Sequence, residues 1–124
     1  MSTILLVEDD PDIRYLVSYK LTKGGFDVIE AADGFAGLRE AEEHAPDLVI
    51  LDVRMPRMSG LEVCRELRAR PRTATVPIIL LTARTRPEDV EQAYAVGASD
   101  YVAKPFSPRE LQLRVEAALA KVGD

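Results

Sequence analysis

Five short aliphatic runs, separated by amphipathic segments, constrain the fold of this chain more than any other feature. The central run, Leu48–Leu51, is apolar at every position, and the acidic Asp52 follows it. A helix of this length would be too short to hold itself together, so the run is predicted to be a strand buried on both faces. The predicted strands are Thr3–Val7, Phe26–Glu30, Leu48–Leu51, Ile78–Leu81 and Asp100–Ala103.

The segments between the strands carry the boundary signals of helices. Asp10 is a candidate N-cap ahead of Pro11, and Gly24-Gly25 ends the first helix, in which Leu16 is expected to face inward with its apolar neighbours. The last helix is expected to run to about Ala120. Three later helix starts have the spacing of a capping box: Ser59 with Glu62, Thr85 with Glu88, and Ser107 with Glu110.

Strands that alternate with helices predict an α/β fold with a doubly wound parallel sheet. Five (βα) units fit the flavodoxin-like strand order 2-1-3-4-5, in which the winding direction reverses between the first and third strands. Ligands of such sheets bind at the carboxyl ends of the strands, beside this reversal. The sequence contains no internal repeat and no linker-like stretch, so residues 1–124 are expected to form a single domain.

Composition and charge narrow the range of functions. The formal net charge of −5 argues against direct binding of nucleic acid, which needs a basic face. No apolar run approaches the length of about 20 residues that spans a bilayer, and the chain does not open on a signal-like segment. The single cysteine, Cys64, is typical of a reducing compartment. We therefore expect a soluble, cytoplasmic domain without membrane contact.

Polar residues collect at the ends of the strands that reach the reversal. Glu8 and Asp9 follow the first strand, and Asp52, Thr82 and Lys104 follow the third, fourth and fifth. Solvated strand ends account for any one of these residues but not for the cluster, because its three acids would repel one another with only one lysine to compensate. A divalent cation such as Mg²⁺ resolves the repulsion, since it is typically held by carboxylates, water and phosphate.

A metal ion beside Asp52 indicates phosphoryl transfer. An Asp52 oxygen left free would attack a phosphoryl group and form an aspartyl phosphate. Such a transfer needs mainly positioning and neutralisation of the phosphoryl oxygens. Mg²⁺ and Lys104 would neutralise those oxygens, and the Thr82 hydroxyl would donate a hydrogen bond to one of them.

These residues together resemble the site of two-component response-regulator receiver domains. The resemblance covers the whole chain and implies a phosphorylation-controlled signalling switch rather than an enzyme that acts on metabolites. The segments that carry it are Leu5-Leu6-Val7-Glu8-Asp9-Asp10, Asp52-x-x-Met55-Pro56-x-Met58-Ser59-Gly60 and Gly97-Ala98-x-Asp100-Tyr101-x-x-Lys104-Pro105-Phe106.

The resemblance implies a metal and phosphoacceptor site with assigned roles. Asp52 is the phosphoacceptor and also a metal ligand, and Asp9 is a direct metal ligand. Glu8 acts on the metal through a water molecule, and the backbone carbonyl of Arg54 completes the Mg²⁺ site. By the same resemblance the chain catalyses only its own phosphorylation and slow dephosphorylation.

The resemblance also implies which residues recognise the phosphoryl group and respond to it. Thr82 and Lys104 contact the phosphoryl oxygens in that family, and the bond between this lysine and the following proline is usually cis. Tyr101 resembles the switch aromatic that turns inward when Thr82 moves toward the phosphate. Arg54 and Arg84, two residues after Asp52 and Thr82, occupy positions that tune hydrolysis of the acyl phosphate.

The partners are implied in the same way. The phosphoryl donor is a sensor histidine kinase or a histidine phosphotransfer protein. The output surface comprises the fourth helix, the fifth strand and the fifth helix, through which family members form homodimers or bind an effector. Asp100, Glu110 and Arg114 match the charged residues of that surface, whereas Val90 and Ser99 stand where such members carry charge.

Two other functions compete with this interpretation. A Mg²⁺-dependent phosphohydrolase of the haloacid-dehalogenase type also uses an aspartyl nucleophile. It carries that residue on the first strand, with a second Asp two residues later, where this chain has Arg54. A flavodoxin-like FMN carrier needs Ser, Thr and Gly in its first loop to hold a phosphate, where this chain has Glu8-Asp9-Asp10.

Several residues that suggest further chemistry are interpreted as structural. His44, the only histidine, follows two glutamates at the end of the second helix and suits the helix dipole. Cys64 is expected to be buried near Leu61 and Leu67 in the third helix. Four arginines near the end of that helix are expected to form a solvated face: Arg65, Arg68, Arg70 and Arg72.

Overall fold

The computed structural model describes residues 1–123, which alternate between strands and helices throughout; Asp124 lies outside the described residues. The strands are β1 (Thr3–Val7), β2 (Asp27–Ala31), β3 (Leu48–Asp52), β4 (Ile78–Thr82) and β5 (Asp100–Ala103). The helices are α1 (Pro11–Lys23), α2 (Gly34–His44), α3 (Gly60–Arg68), α4 (Pro87–Ala95) and α5 (Pro108–Gly123). Over this described part of the chain, no helix is long and apolar enough to cross a membrane.

All five strands are parallel and lie in the order β2-β1-β3-β4-β5, which confirms the predicted flavodoxin-like topology. The winding reverses between β1 and β3, where Val7 is paired with Leu51. Asp52 is paired with Leu81 of the next strand. The carboxyl ends of β1, β3 and β4 therefore lie side by side, and the residues that follow them meet at one edge of the sheet.

Helices cover both faces of the sheet, and alternate strand residues enter two separate cores. Leu5 and Leu80 lie in the core shared with α2, α3 and α4, whereas Ile50 and Leu81 lie in the core shared with α1 and α5. Each of these side chains is almost fully buried, and such burial stabilises the fold by about 1.5–3 kcal/mol per side chain. The packed strands form a rigid base for the side chains at the carboxyl edge.

Three strands differ by one residue from the prediction. β3 and β4 continue through Asp52 and Thr82, because the backbone hydrogen bonds of the sheet extend past these residues: Val53 N donates to Leu81 O at 2.9 Å and Lys104 N to Thr82 O at 2.8 Å. β2 is shifted to Asp27–Ala31, since Glu8 N donates to Ala31 O at 3.1 Å. The two site residues are thus part of the sheet and inherit its rigidity.

Most of the predicted helix boundaries are confirmed, with two exceptions. Asp10 caps α1, and Ser59 forms a capping box at the start of α3. The predicted box at Thr85 is wrong, because α4 begins at Pro87 after the N-cap residue Arg86. A residue before proline is driven to extended backbone, and proline itself suits the first helical position. α5 continues to Gly123 rather than ending near Ala120.

One apolar residue of α1 does not face inward as expected. Val17 and Leu21 are buried, whereas Leu16 is 51% exposed beside the exposed rings of Tyr15 and Tyr19. Ile13, Val17 and Leu21 are spaced four residues apart and define the inward stripe of the helix. Leu16 lies about 100° to the side of this stripe and so reaches the surface.

Arg68 also departs from its predicted solvated position. Its Nε donates to Gly97 O at 2.9 Å, and Nη1 donates to Val76 O at 2.6 Å and to Thr73 O at 3.2 Å. The loop before β4 carries the Thr73 and Val76 carbonyls and the loop before β5 carries that of Gly97, and the fixed fork of a guanidinium can satisfy several of them at once. Arg68 therefore ties α3 to two loops. Cys64, as expected, is buried.

Candidate functional site

Four strand ends bring the predicted site residues together. Glu8 and Asp9 follow β1, Asp52 ends β3, Thr82 ends β4 and Lys104 follows β5. Each of the three acids offers a carboxylate oxygen within 4.8 Å of the others. The carboxyl edge beside the winding reversal is therefore where the acidic side chains converge, as the topology predicts.

Lys104 reaches into this cluster from β5. Its Nζ lies 3.0 Å from Asp52 Oδ1 and 3.3 Å from Glu8 Oε1, so it donates a hydrogen bond to each. The bond from Lys104 to Pro105 is cis, as the resemblance implies. One ammonium group thus bridges two of the three carboxylates.

The electrostatics of the cluster reflect crowding of negative charge in a buried place. Burial, then the hydrogen bond and charge of Asp52, raise the pKa of Glu8 to about 8, and the charge of Lys104 offsets only part of this rise. Burial by itself lowers the pKa of Lys104, but its contacts with Asp52 and Glu8 outweigh that effect and raise the pKa above its ordinary value. Lys104 therefore stays charged, and it offsets only part of the cost of placing Glu8 beside Asp52.

Asp10, the third acid of the run Glu8-Asp9-Asp10, caps α1 and is not part of the acidic cluster. Its Oδ1 accepts hydrogen bonds from Asp12 N at 2.9 Å and from Ile13 N at 3.4 Å, which caps the first turn of α1. Its own N–H donates to Glu8 Oε2 at 3.4 Å. Capping by Asp10 therefore anchors α1 directly beside Glu8.

Thr82 is nearly buried, and its hydroxyl is engaged with its own loop. Thr82 Oγ1 accepts a hydrogen bond from Arg84 N at 2.9 Å and lies 3.5 Å from Arg84 O. Tyr101, on the adjacent strand, is half-buried, and its ring meets that of Tyr94 edge-on with centroids 6.0 Å apart. The two predicted switch residues therefore sit on neighbouring strands, with Thr82 bonded to the loop before α4 and Tyr101 packed against α4 itself.

Arg54 and Arg84 lie on the solvent side of the site. Both are exposed, and both line a surface cavity of about 480 Å³ that also includes Ser59 and Leu61. The Arg54 N–H approaches Asp52 Oδ1 at 3.4 Å. The two arginines thus line one cavity, together with the residues that directly follow Asp52 in the chain.

Two residues that support the site were not identified from the sequence. Gly60 lies so close to Asp52 that a Cβ there would overlap the Asp52 carbonyl oxygen. Arg14 donates from Nη1 to the carbonyl oxygen of Glu8 at 2.8 Å. Both act on backbone atoms of another element, and a sequence pattern gives no signal for such contacts. Gly60 stands in one of the segments that carry the family resemblance and follows a capping residue, but neither signal gives it a role beside Asp52.

The donor set of the cluster fits a hard divalent cation. Carboxylate oxygens are the ligands that Mg²⁺ prefers, and it commonly keeps several waters. Three carboxylates with a single lysine leave negative charge that a second cation would balance, and the raised pKa of Glu8 has this crowding as one of its causes. Glu8, Asp9 and Asp52 are the residues that would hold such an ion.

The fold and the site together define a class: a doubly wound, flavodoxin-like domain with an acidic, lysine-bridged site at the carboxyl edge of its sheet. The chain belongs to the response regulator receiver domain family, whose model matches residues 4–116. Family membership gives the domain the function of a phosphorylation-controlled switch and sets aside the phosphohydrolase and FMN-carrier alternatives.

Curated relatives support the same assignment. The chain is 44% identical over 118 residues to the alkaline phosphatase synthesis transcriptional regulatory protein PhoP of Bacillus subtilis. This match covers 95% of this chain and 48% of PhoP. It is 46% identical over 121 residues to the transcriptional regulatory protein AfsQ1 of Streptomyces coelicolor, covering 98% of this chain and 52% of AfsQ1. The chain thus spans about half the length of the curated relatives it matches.

Solved structures agree in fold. The chemotaxis protein CheY4 of Vibrio cholerae superposes with a TM-score of 0.91 at 36% identity, covering 95% of this chain and 98% of CheY4. The receiver domain of the sensor histidine kinase PA1611 from Pseudomonas aeruginosa superposes with a TM-score of 0.88 at 37% identity, covering 96% of this chain and 98% of that domain. The latter structure has a magnesium ion coordinated in its active-site cleft.

Proposed function

We propose that Asp52 accepts a phosphoryl group from a phosphohistidine, carried by a sensor histidine kinase or a phosphotransfer protein, in a Mg²⁺-dependent reaction. The observation that carries the proposal is the buried Asp52 carboxylate, held 3.0 Å from Lys104 Nζ within a cluster of three acids. A small acyl phosphate would serve as an alternative donor. The direct test is incorporation of phosphate from such a donor with and without Mg²⁺.

Asp9 and Asp52 would bind Mg²⁺ directly, Glu8 through a water molecule and Arg54 through its backbone carbonyl. The bound ion would neutralise charge on the phosphoryl oxygens. The buried positions of Glu8 and Asp52 support this assignment, because a bound ion would compensate carboxylates that bulk solvent screens poorly.

The transfer itself needs few groups from the chain. An Asp52 oxygen attacks phosphorus, the new P–O bond forms, and the donor's P–N or P–O bond breaks with its electron pair leaving on the donor. Lys104 pairs with one phosphoryl oxygen, and the Thr82 hydroxyl donates to another. The chemistry of the chain is then limited to phosphorylation and slow dephosphorylation of Asp52.

The switch step would begin at Thr82. Its hydroxyl now accepts from Arg84 N, so turning to a phosphoryl oxygen would break this contact and draw in the loop before α4. Tyr101 would move into the space that this loop vacates. Thr82 bonds to this loop and Tyr101 packs against Tyr94 of α4, into which the loop leads, and these two contacts support the coupling.

The output would use the surface formed by α4, β5 and α5. Within this chain Arg114 Nη1 already pairs with both oxygens of Asp100, at 2.9 and 3.1 Å, and the Asp100 contacts raise the pKa of Arg114. A homodimer or an effector that uses these charges would have to compete with this internal pair. The domain, residues 1–124, would not bind nucleic acid directly, and any such binding would belong to an effector. Its net charge of −5 is consistent with this expectation.

Thr82→Ala and Lys104→Ala are each expected to permit some phosphorylation but to uncouple it from the conformational change. Each residue would contact the phosphoryl oxygens from the end of a different strand. Loss of either contact would therefore interrupt the link between the phosphoryl group and α4. Amide hydrogen exchange in α4 and β5 should then respond little to phosphorylation. Thr85→Ala, a matched change at an exposed residue of the same loop, should retain the wild-type response. A full response in both site variants would contradict the coupling.

Arg54→Asn and Arg84→Ser are each expected to shorten the lifetime of the phosphorylated protein about fivefold, or roughly 1 kcal/mol in activation free energy. Water must approach phosphorus in line, opposite the Asp52 oxygen. Long guanidinium groups beside the site would obstruct this approach or hold the phosphoryl oxygens in the ground state.

The measurement is loss of phosphoprotein after the donor is removed. Arg86→Ser is the matched control, because Arg86 is exposed on the same loop as Arg84 and pairs with Glu88 at 3.9 Å. Unchanged or longer lifetimes in both test variants would show that the arginines do not shield the phosphate.

A further inference from the structure

Arg14 lies behind the acidic cluster, on the side of α1 and β2. Its Nη1 donates to the Glu8 carbonyl oxygen at 2.8 Å, and its Nε lies 3.3 Å from Glu30 Oε1. The side chain is only 22% exposed. The guanidinium therefore bonds at once to the backbone of a site residue and to the edge strand of the sheet.

The carbonyl that Arg14 holds belongs to the peptide bond between Glu8 and Asp9. The N–H of Glu8 is fixed separately, since it donates to Ala31 O at 3.1 Å beyond the last residue of β1. A peptide unit is planar, so the direction of its carbonyl determines the direction in which the next residue leaves. Arg14 thus constrains where the side chains of both Glu8 and Asp9 begin.

Glu30 holds the guanidinium in place. One of its carboxylate oxygens pairs with Arg14, and the other accepts a hydrogen bond from Ser18 Oγ at 3.2 Å. Because Ser18 and Arg14 both lie on α1, Glu30 links this helix to β2 at two points one turn apart. The planar fork of the arginine can then meet the Glu8 carbonyl in one orientation.

We propose that Arg14 is a positioning residue for the metal site: it holds the Glu8–Asp9 peptide so that both carboxylates converge with Asp52 on one Mg²⁺ ion. This inference rests on the proposed function, because it assumes that the cluster binds Mg²⁺. Groups that orient metal ligands commonly change metal affinity about 10–100-fold when they are removed. A merely structural ion pair would change stability and leave the affinity of the folded domain unaltered.

The experiment measures the Mg²⁺ dissociation constant by isothermal titration calorimetry, at fixed ionic strength, on the folded domain. Arg14→Met keeps the aliphatic stem but removes every donor, and should weaken binding about tenfold. Arg14→Lys keeps the charge and one contact, and should give an intermediate value. Glu30→Gln leaves Arg14 present but loosely held, and should weaken binding about twofold to threefold, less than loss of the direct contact.

Arg70→Met is the matched control. Arg70 is 33% exposed, lies past the C-terminal end of α3 and pairs with Glu42 and Glu66 at 3.6 and 3.5 Å, whereas the N-terminal end of α3 contacts Asp52. Its loss should leave Mg²⁺ affinity unchanged. Thermal unfolding of each variant verifies that the titrated protein is folded, and Arg14→Lys and Glu30→Gln carry the test if Arg14→Met does not fold.

Three results would overturn the inference. Mg²⁺ affinity within twofold of wild type in every folded Arg14 and Glu30 variant would remove Arg14 from the metal site while leaving the proposed function intact. An equal loss in Arg70→Met would attribute the effect to general destabilisation. Failure of the wild-type domain to bind Mg²⁺ would overturn the inference together with the proposed function. The graded order of the variants, with an unaffected control, is the result that supports it.

Discussion

Asp52→Asn is expected to abolish phosphate incorporation, with a loss of at least about a thousandfold, as when a covalent nucleophile is removed from an active site. The amide has almost the same shape as the carboxylate, so the fold of β3 should be preserved. What it lacks is the charged oxygen that would attack phosphorus. The measurement is transfer of labelled phosphate from a small acyl phosphate in the presence of Mg²⁺.

Two further arms make this test specific. Asp27→Asn, the same chemical change at an exposed strand residue, should phosphorylate normally. A chelator added to the wild-type protein should suppress incorporation, because the phosphoryl oxygens would then approach the acidic cluster without a compensating divalent cation. Incorporation that survives either Asp52→Asn or chelation would refute the assignment of Asp52 or of Mg²⁺, respectively.

Much of the fold follows from the sequence because its three central strands are continuous aliphatic runs. A run such as Leu48–Leu51 fits a parallel sheet covered on both faces, and three such runs, with two less apolar strands and helices between them, leave few topologies. The place of the site follows in turn, because parallel strands end at one edge. Asp52 and Lys104 are 52 residues apart, yet their side chains meet at 3.0 Å as this rule leads one to expect.

Most features that the sequence did not predict depend on contacts between distant elements, and the start of α4 is a local exception. Thr85 had the spacing of a helix cap, but Pro87 decided where α4 begins. Arg68 looked like one of several surface arginines, and only the folded loops reveal the carbonyls that it satisfies. Arg14 likewise bonds to a backbone oxygen. Every residue carries a backbone carbonyl, so the residue pattern does not predict which side chain will bond to which carbonyl.

Gly60→Ala is expected to lower the free energy of unfolding by about 2–3 kcal/mol, the range of a substitution that overpacks a tight site. Helix propensity alone predicts the opposite, since alanine is favoured over glycine within helices by about 1 kcal/mol. The steric contact outweighs helix propensity, because a Cβ at Gly60 would overlap the carbonyl oxygen of Asp52. Gly60 N also donates to Val53 O at 3.0 Å, which holds the two backbones together. Neither partner can move without shifting β3.

Chemical denaturation measures this loss, and Gly25→Ala provides the comparison. Gly25 has a φ of 96° and open space around it, so alanine there meets only the backbone cost of the left-handed region, about 1 kcal/mol. The two variants also differ in function. Displacing the Asp52–Val53 peptide should move the Asp52 carboxylate away from Lys104 and slow phosphorylation, whereas Gly25→Ala should phosphorylate at the wild-type rate. Wild-type stability and phosphorylation in Gly60→Ala would contradict this prediction. That result would mean that the end of β3 can shift to accommodate α3, and that the position of Asp52 does not depend on this contact.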